Sequence, residues 1–327
     1  MERMRAARVA GLGEMVCEQA DVRPPEEGEL VVRTELAAIC GSDLHLVFMG
    51  VNLMTGGAPP GYPGHEGIGT VVESRHPDFG KGERVLTAPG LGHFRCFADF
   101  QTIPAAYCVK VPADLPAGEL LMAQQLGTVI FALRQRPRDV VGKNVMVVGQ
   151  GSAGMFFAYL LKRAGAAKVI TTDLSEARLD MGRRISGADV ALQAGREAVG
   201  DAVLDHTGGE GVDYLVEAVG RNETQLEAVD YMRPRGDILY FGLPDTSQPI
   251  QFNYEQFFRK ALSASSTYGA QEEYNLASFQ LAVDLIVRRE IDLSKMVSHT
   301  FPIEKIDDAM HEANARPPTT LKVALSF

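Results

Sequence analysis

Residues 145–154, Val-Met-Val-Val-Gly-Gln-Gly-Ser-Ala-Gly, constrain the fold of this chain more than any other segment. A short apolar run stops at a Gly-x-Gly-x-x-Gly pattern, and a helical pattern follows at once. The apolar run is typical of a strand that is buried on both faces of a parallel sheet. A strand, a glycine turn and a helix in this order predict a dinucleotide-binding βαβ unit.

Each glycine has a predicted task in that unit. Gly149 would make the tight turn, Gly151 would let backbone approach a pyrophosphate, and Gly154 would let the helix pack close to the strand. The N–H groups at the helix start, at Ser152 and Ala153, would bind phosphate oxygens. A glycine-rich loop without a ligand is the alternative interpretation, so the context of the motif matters.

A second apolar run, residues 168–172, supplies that context because it ends at Asp173. An acid roughly 20 residues beyond the first glycine can accept hydrogen bonds from the ribose hydroxyls of the cofactor. Its charge would repel a 2′-phosphate, so Asp173 favours NAD over NADP. Arg178 follows five residues later and leaves some use of NADP open.

Composition excludes several classes of function. A chain of 327 residues is long enough for two domains. The net charge of −10 argues against binding to nucleic acid, which needs a basic face. No apolar run approaches the roughly 20 residues of a membrane span. Four cysteines do not indicate a disulfide framework, and Glu14 interrupts any apolar signal segment, so we expect a cytoplasmic protein.

The order of patterns along the chain predicts an α/β plus β architecture. Short, glycine- and proline-rich β segments indicate a barrel-like β domain over residues 1–118. Strands that alternate with helices indicate a doubly wound parallel sheet over residues 119–269. The tail, residues 270–327, is interpreted as a return to the first domain.

Four local elements of that pattern are predicted more closely. Ser175 is a candidate N-cap for a helix, and Asn222 could cap another helix that runs through Tyr231. Residues 234–236, Pro-Arg-Gly, predict a turn before a strand. Residues 274–289 predict one long amphipathic helix.

Candidate metal ligands lie upstream, in residues 40–45, Cys-Gly-Ser-Asp-Leu-His, and residues 64–66, Gly-His-Glu. Cysteine thiolate and imidazole are preferred ligands of zinc. Asp43 and Glu66 could orient the imidazole of His65 or bind the metal themselves. An isolated cysteine is more often a small apolar residue, and an isolated histidine more often an ordinary core or surface residue.

The first of these segments also carries two groups that could move a proton. Ser42 and His45 offer a hydroxyl and an imidazole near one point of the chain. Together they could pass a proton to bulk water.

The order of these motifs along nearly the whole chain resembles the zinc-dependent medium-chain dehydrogenase/reductase family of alcohol and polyol dehydrogenases. The spacing of Cys40 and His65 is similar to that of the sorbitol and threonine dehydrogenase branch. The resemblance implies a GroES-like β-barrel catalytic domain, completed by the C-terminal tail, and a Rossmann domain. It also implies NAD, one catalytic zinc and a homodimer or homotetramer.

The resemblance assigns roles to matching residues. Cys40 and His65 match the first two zinc ligands, and Glu66 matches an acid that can join the zinc. Ser42 matches the hydroxyl that takes the substrate proton, His45 the relay imidazole, and Asp43 the acid behind the zinc-binding histidine.

The resemblance also assigns cofactor contacts. Thr128 matches a helix threonine near the nicotinamide, and Val219 and Gly242 match backbone positions at the nicotinamide end.

Two departures from the family pattern qualify the zinc chemistry. The third ligand is usually Cys or Glu at the position aligned to Gln124, whose neutral amide oxygen binds zinc more weakly. Either Gln124 or Glu66 could therefore be the third ligand, or zinc could be lost. Residues 87–112 contain only Cys96 and Cys108 where relatives cluster four cysteines, so we predict no structural zinc.

The resemblance therefore implies a zinc-dependent alcohol/polyol dehydrogenase that transfers a hydride between the carbinol carbon of a secondary alcohol or polyol, or its ketone, and NAD(H). The alternatives are a zinc-free NAD(P)H-dependent enone or quinone reductase and a nucleotide-binding protein without activity. Substrate choice is expected to depend on the apolar loop 46–60, which includes Phe48, Met49, Leu53 and Met54.

Overall fold

The computed structural model describes residues 3–50, 58–196, 198–246 and 248–327. Residues 51–57 of the apolar loop 46–60, which include Leu53 and Met54, lie outside the described residues. The strands of the described residues are β1 Arg3–Gly11, β2 Glu14–Asp21, β3 Glu29–Ala38, β4 Glu66–Ser74, β5 Arg84–Thr87, β6 Phe100–Pro104, β7 Cys108–Lys110, β8 Asn144–Val148, β9 Lys168–Asp173, β10 Val190–Gln193, β11 Val212–Glu217, β12 Met232–Tyr240, β13 Ser263–Ser266, β14 Val297–Pro302 and β15 Lys322–Ser326.

The α-helices of the same residues are α1 Gly41–Met49, α2 Ala117–Gln135, α3 Ser152–Arg163, α4 Glu176–Ser186, α5 Val199–His206, α6 Asn222–Glu227, α7 Tyr254–Arg259, α8 Ala277–Val287 and α9 Ile306–Ala315. The chain forms two compact units, Met1–Thr128 with Gly269–Phe327, and Val129–Tyr268. No helix of the described residues combines the length and apolar character that crossing a bilayer requires.

The unit Val129–Tyr268 contains a six-stranded sheet in the order β10-β9-β8-β11-β12-β13. Every pair of neighbouring strands is parallel, and Val147 pairs with Thr171 on one side and with Val216 on the other. The apolar runs of the central strands lie in the core of this unit, as Met146, Ile170 and Leu215 show. The predicted doubly wound parallel sheet is confirmed.

The other unit is built on β structure. A seven-stranded sheet has the order β14-β15-β3-β4-β5-β7, and β6 pairs with β3 beside it. Strands β1 and β2 form an antiparallel hairpin. The C-terminal strand β15 pairs with β3, so the tail completes the sheet of the N-terminal segment. The expected β domain is confirmed.

The predicted cap at Ser175 is confirmed, because its side chain accepts a hydrogen bond from Arg178 N. The prediction for Asn222 was wrong in two respects. Arg221 is the N-cap, and the helix ends at Glu227 instead of continuing through Tyr231. Tertiary packing explains the early end, because the residues that follow enter the apolar core beside the sheet.

Two further predictions need correction. The Pro-Arg-Gly segment lies inside β12, where Arg235 has φ +64° and the pairing with β11 shifts register. It is a bulge and not a turn between elements. The long helix predicted over residues 274–289 is shorter, because Asn275 and Leu276 have positive φ and α8 begins only after them.

Candidate active site

Helix α1 fixes the first candidate ligand. Its N-terminus follows Cys40, and the side chain of Asp43 accepts a hydrogen bond from Cys40 N at 2.9 Å. This contact satisfies a backbone donor at the helix start. Ser42 and His45 lie three residues apart on α1 and so share one face of it. His45 is buried, whereas Ser42 is half-buried.

The second pair of candidates lies at the start of β4. His65 precedes the strand and Glu66 opens it, and both side chains are buried. Asp43 Oδ1 lies 2.9 Å from His65 Nδ1, and Ser42 Oγ lies 3.2 Å from His65 Nε2. Burial alone would lower the pKa of His65, but the neighbouring Asp43 and Cys40 raise that pKa well above its ordinary value. The imidazole is therefore oriented from behind by a carboxylate.

These contacts assemble a set of metal donors. One ligand atom each from Cys40, His65 and Glu66 lies within 4.8 Å of the others. A thiolate, an imidazole and a carboxylate are a donor set that zinc accepts in catalytic sites. The residues present therefore fit the metal that the motif spacing predicts.

Glu66 has a partner that the sequence analysis missed. Lys322 Nζ of β15 lies 2.6 Å from Glu66 Oε2, and both side chains are almost completely buried. Burial alone would lower the pKa of Lys322, but Glu66, Cys40 and Asp43 raise it. The available signal was a lysine at the start of the mainly apolar final strand, because a charge that such a strand buries needs an oppositely charged partner.

Helix α2 contributes two further groups and a loop contributes a third. The buried amide of Gln124 donates from Nε2 to the His65 carbonyl at 3.4 Å, and Thr128 donates its hydroxyl to the Gln124 carbonyl at 3.1 Å. Phe94, which the sequence analysis did not single out, stacks on the His65 ring with the two centroids 4.7 Å apart. An aromatic ring thus flanks the donor set on one side.

The glycine motif has the geometry that a dinucleotide turn needs. Gly149 has φ +92°, where L side chains are strained. A Cβ on Gly154 would lie 1.8 Å from Gly149 O, so α3 packs directly against the turn. A Cβ on Gly151 would meet nothing within 4 Å, so open space faces this residue. Ser152 and Ala153 open α3 immediately after it.

The acid at the end of β9 is tied to the same turn. Asp173 accepts hydrogen bonds from Gln150 N at 2.7 Å and from Ser175 N at 2.8 Å. Each carboxylate oxygen has a second lone pair for a ligand hydroxyl. Arg178 lies in the first turn of α4, and its backbone N–H donates to the Ser175 side chain.

The turns after β11 and β12 bring the two remaining cofactor candidates together. A Cβ on Gly242 would lie 2.1 Å from Gly220 N and 2.7 Å from the carbonyl carbon of Val219. A Cβ on Gly149 would lie 2.6 Å from Val219 Cγ2. The turn after β11 therefore contacts both the turn after β8 and the turn after β12, at the carboxyl edge of the sheet where doubly wound sheets bind their ligands.

Two family models match consecutive parts of the chain. Residues 26–113 match the alcohol dehydrogenase GroES-like domain, and residues 153–287 match the zinc-binding dehydrogenase model. The chain belongs to the zinc-dependent medium-chain dehydrogenase family. This dehydrogenase is therefore an oxidoreductase that acts on CH–OH groups with a nicotinamide cofactor.

Whole-chain comparisons agree with that assignment. L-threonine 3-dehydrogenase of Anaeromyxobacter dehalogenans strain 2CP-C is 28% identical over 333 residues, which cover 92% of this dehydrogenase and 93% of that protein. The crystal structure of L-idonate 5-dehydrogenase from Escherichia coli K-12 superposes with a TM-score of 0.85 at 22% identity, covering 100% and 99% of the two chains. A zinc-binding dehydrogenase of Sinorhizobium meliloti 1021 bound to NADP gives 0.87 at 20% identity, with both chains fully covered. The two crystal structures support the fold.

Proposed function

We propose that this dehydrogenase oxidises a secondary alcohol or polyol, or reduces the matching ketone, with NAD(H) and one catalytic zinc. The convergence of Cys40, His65 and Glu66 within 4.8 Å supports the proposal most directly. A thiolate, an imidazole and a carboxylate at this spacing are a donor set suited to zinc, which favours the zinc enzyme over a zinc-free reductase.

Cys40, His65 and Glu66 would hold the metal. Because Asp43 contacts Nδ1 of His65, Nε2 is the nitrogen that remains for zinc. In this structure Nε2 is hydrogen-bonded to Ser42 Oγ. Glu66 is favoured over Gln124 as third ligand, since a carboxylate binds zinc better than a neutral amide. Gln124 would then act by holding the His65 carbonyl.

The proton of the alcohol would leave through α1. Ser42 Oγ would accept it while the hydroxyl proton of Ser42 passes on, and His45, on the same helix face, would receive that proton and release it to water. When bound, zinc supplies a Lewis acid for the alcohol oxygen and the nicotinamide supplies the hydride acceptor. Asp43 would keep His65 oriented throughout, and Phe94 would shield that ring from water.

NAD is the proposed cofactor. Asp173 places a carboxylate beside the dinucleotide turn, and a 2′-phosphate would meet this negative charge. Gly149, Gly151, Ser152, Ala153 and Gly154 would bind the pyrophosphate, while Thr128, Val219 and Gly242 would contact the nicotinamide half. Arg178 would lie near the adenosine end. We expect kcat/KM for NAD to exceed that for NADP.

A secondary alcohol is the proposed substrate class. The relatives named above act on L-threonine at position 3 and on L-idonate at position 5, and both positions carry secondary hydroxyl groups.

A homodimer or homotetramer is also proposed, since β13 is the edge strand of its sheet and most of its residues are exposed. Light scattering in solution would measure the assembly.

Metal content and turnover test the proposal together. Protein purified without added zinc or chelator should contain one zinc per chain by elemental analysis. It should also reduce NAD with members of a panel of secondary alcohols and polyols. Two zinc ions per chain would contradict the predicted absence of a structural site. No zinc, together with activity on enones after exhaustive chelation, would replace the proposal with the zinc-free reductase.

A further inference from the structure

One buried carboxylate has no part in the zinc site or the proton path. Glu217 is the last residue of β11 and is 0% exposed. Its position is the carboxyl edge of the parallel sheet, next to β8, where the strand order reverses. A buried acid at this place must be satisfied by its surroundings or it destabilises the fold.

The turn and helix that directly follow the strand supply hydrogen-bond donors to this carboxylate. Glu217 Oε1 accepts hydrogen bonds from Val219 N at 2.9 Å, from Gly220 N at 3.0 Å and from Thr224 Oγ1 at 2.8 Å. Oε2 lies 3.2 Å from Gly220 N as well. The side chain thus closes residues 218–220 into one conformation, in which Gly220 has φ +90°.

The backbone of the same residue holds a second turn. Glu217 O accepts hydrogen bonds from Phe241 N and Gly242 N, both at 2.9 Å. Gly220 O accepts from Asp245 N at 3.1 Å. A Cβ on Gly220 would lie 2.1 Å from Leu243 O, so the two turns leave no space between them. Residues 218–220 and 241–245 therefore behave as one unit organised by Glu217.

That unit touches the dinucleotide turn. The side chain of Val219 occupies the place where a Cβ on Gly149 would project, at 2.6 Å. A shift of the turn that carries Val219 would therefore change the surface beside the dinucleotide turn at Gly149.

We propose that Glu217 is a positioning residue for the nicotinamide half of the cofactor, acting through the turns that carry Val219 and Gly242. This inference rests on the proposed cofactor site, in which these two residues contact the nicotinamide. The carboxylate accepts hydrogen bonds from the N–H groups of Val219 and Gly220, so the conformation of this turn, and with it the position of Val219, depends on Glu217.

Two ligands that differ only in the nicotinamide group test the inference. NADH carries both halves of the cofactor, whereas ADP-ribose lacks the nicotinamide ring. Dissociation constants for both are measured by titration of the purified full-length protein, using NADH fluorescence and calorimetry for ADP-ribose.

In Glu217→Leu we expect NADH affinity to fall roughly tenfold, because buried N–H groups lose their acceptor. The affinity for ADP-ribose should stay within about twofold of the unmodified protein. Glu217→Gln keeps one oxygen but turns its amide N–H₂ toward Gly220 N, so it should give a smaller loss in the same direction. This isosteric variant carries the test if Glu217→Leu does not fold.

Two controls separate positioning from general damage. Glu223→Gln removes an exposed carboxylate of α6, and Thr224→Val removes one donor to Glu217 while leaving both turn N–H contacts. Both should keep the ratio of NADH to ADP-ribose affinity unchanged.

Parallel losses of both ligands in the Glu217 variants would show a merely structural role and overturn the inference. A ratio that is unchanged in both variants because neither affinity falls would overturn it equally. If the unmodified protein bound neither NADH nor ADP-ribose, the proposed function itself would fail, which is a different result.

Discussion

The candidate zinc-ligand cluster (Cys40, His65 and Glu66 with their partners Asp43 and Lys322) and the candidate cofactor turns after β8, β11 and β12 are built in opposite ways. The cluster contains side chains from α1, β4 and β15. Its charged groups pair with one another: Asp43 contacts His65, and Lys322 contacts Glu66. The cofactor turns are built from backbone at the ends of β8, β11 and β12. There the acids Asp173 and Glu217 bind backbone N–H groups instead of other charges.

The contrast shows what each region tolerates. The cluster depends on the chemical identity of its donors, so an exchange of similar size should disable it. The turns depend on free volume and on backbone conformation, so one added methyl group should disable them. Variants should therefore separate metal chemistry from cofactor affinity.

The largest effect is expected for Cys40→Ser. This exchange replaces the thiolate ligand by a poorer donor of nearly the same size, while the cofactor turns are untouched. Turnover should fall by roughly three orders of magnitude, because a Lewis acid contributes several kcal/mol to such a reaction. Steady-state rates and NADH titration measure the two quantities. Cys17→Ser is the matched control, and full activity in Cys40→Ser would refute the zinc mechanism.

The next largest effect is expected for Lys322→Met, which leaves Glu66 buried without its cation. Removal of one partner of a buried pair costs about 3–5 kcal/mol of unfolding free energy. The double variant with Glu66→Gln should recover most of the loss, which urea unfolding would measure. If the double variant were no more stable than the single one, the ion pair would not be the cause.

The same pair predicts a pH dependence. Glu66, Cys40 and Asp43 raise the pKa of Lys322 above 10.5, against the opposing effect of burial. The raised pKa stabilises the fold fully below pH 10.5, and this contribution is lost as pH rises through the folded value. The difference in unfolding free energy between the unmodified protein and Lys322→Met should therefore shrink above pH 10.5. A constant difference up to pH 11.5 would contradict the raised pKa.

A smaller effect is expected for Asp43→Asn, which weakens the support behind His65 without removing a ligand. Zinc affinity should fall by about 10–100-fold, as for other residues that orient a metal ligand. Competition with a chromophoric chelator measures it. Asp78→Asn, at an exposed position, should leave the affinity unchanged. Equal zinc affinity in both variants would show that the 2.9 Å contact is not needed for metal binding.

The glycine turn offers the finest comparison. Gly154→Ala should lower stability by about 1–3 kcal/mol, because its Cβ would overlap Gly149 O. Gly151→Ala should leave stability unchanged, because its Cβ meets open space and φ is −71°. It should still weaken NADH binding roughly tenfold, since the methyl group would occupy the approach of the pyrophosphate. Unaltered NADH affinity in Gly151→Ala would place the cofactor elsewhere.

Local sequence patterns predicted much of the fold. The apolar run before Gly149 and the acid after the next strand predicted the parallel sheet, because a doubly wound unit requires both. The motif around Cys40 and the one around His65 predicted a donor set. The patterns failed where tertiary contacts overrode them, at the early end of α6 and the bulge at Arg235.

The sequence by itself determined the two architectures and indicated most members of the two candidate sites, because periodicity, glycine spacing and donor chemistry are local properties of the chain. Tertiary structure decided which charges meet: Lys322 reaches Glu66 only because β15 pairs with β3 beside β4. It also decided that Glu217 accepts hydrogen bonds from the turn that follows it, since a buried acid needs donors from nearby groups. Such pairings depend on contacts between distant segments, and no local pattern encodes them.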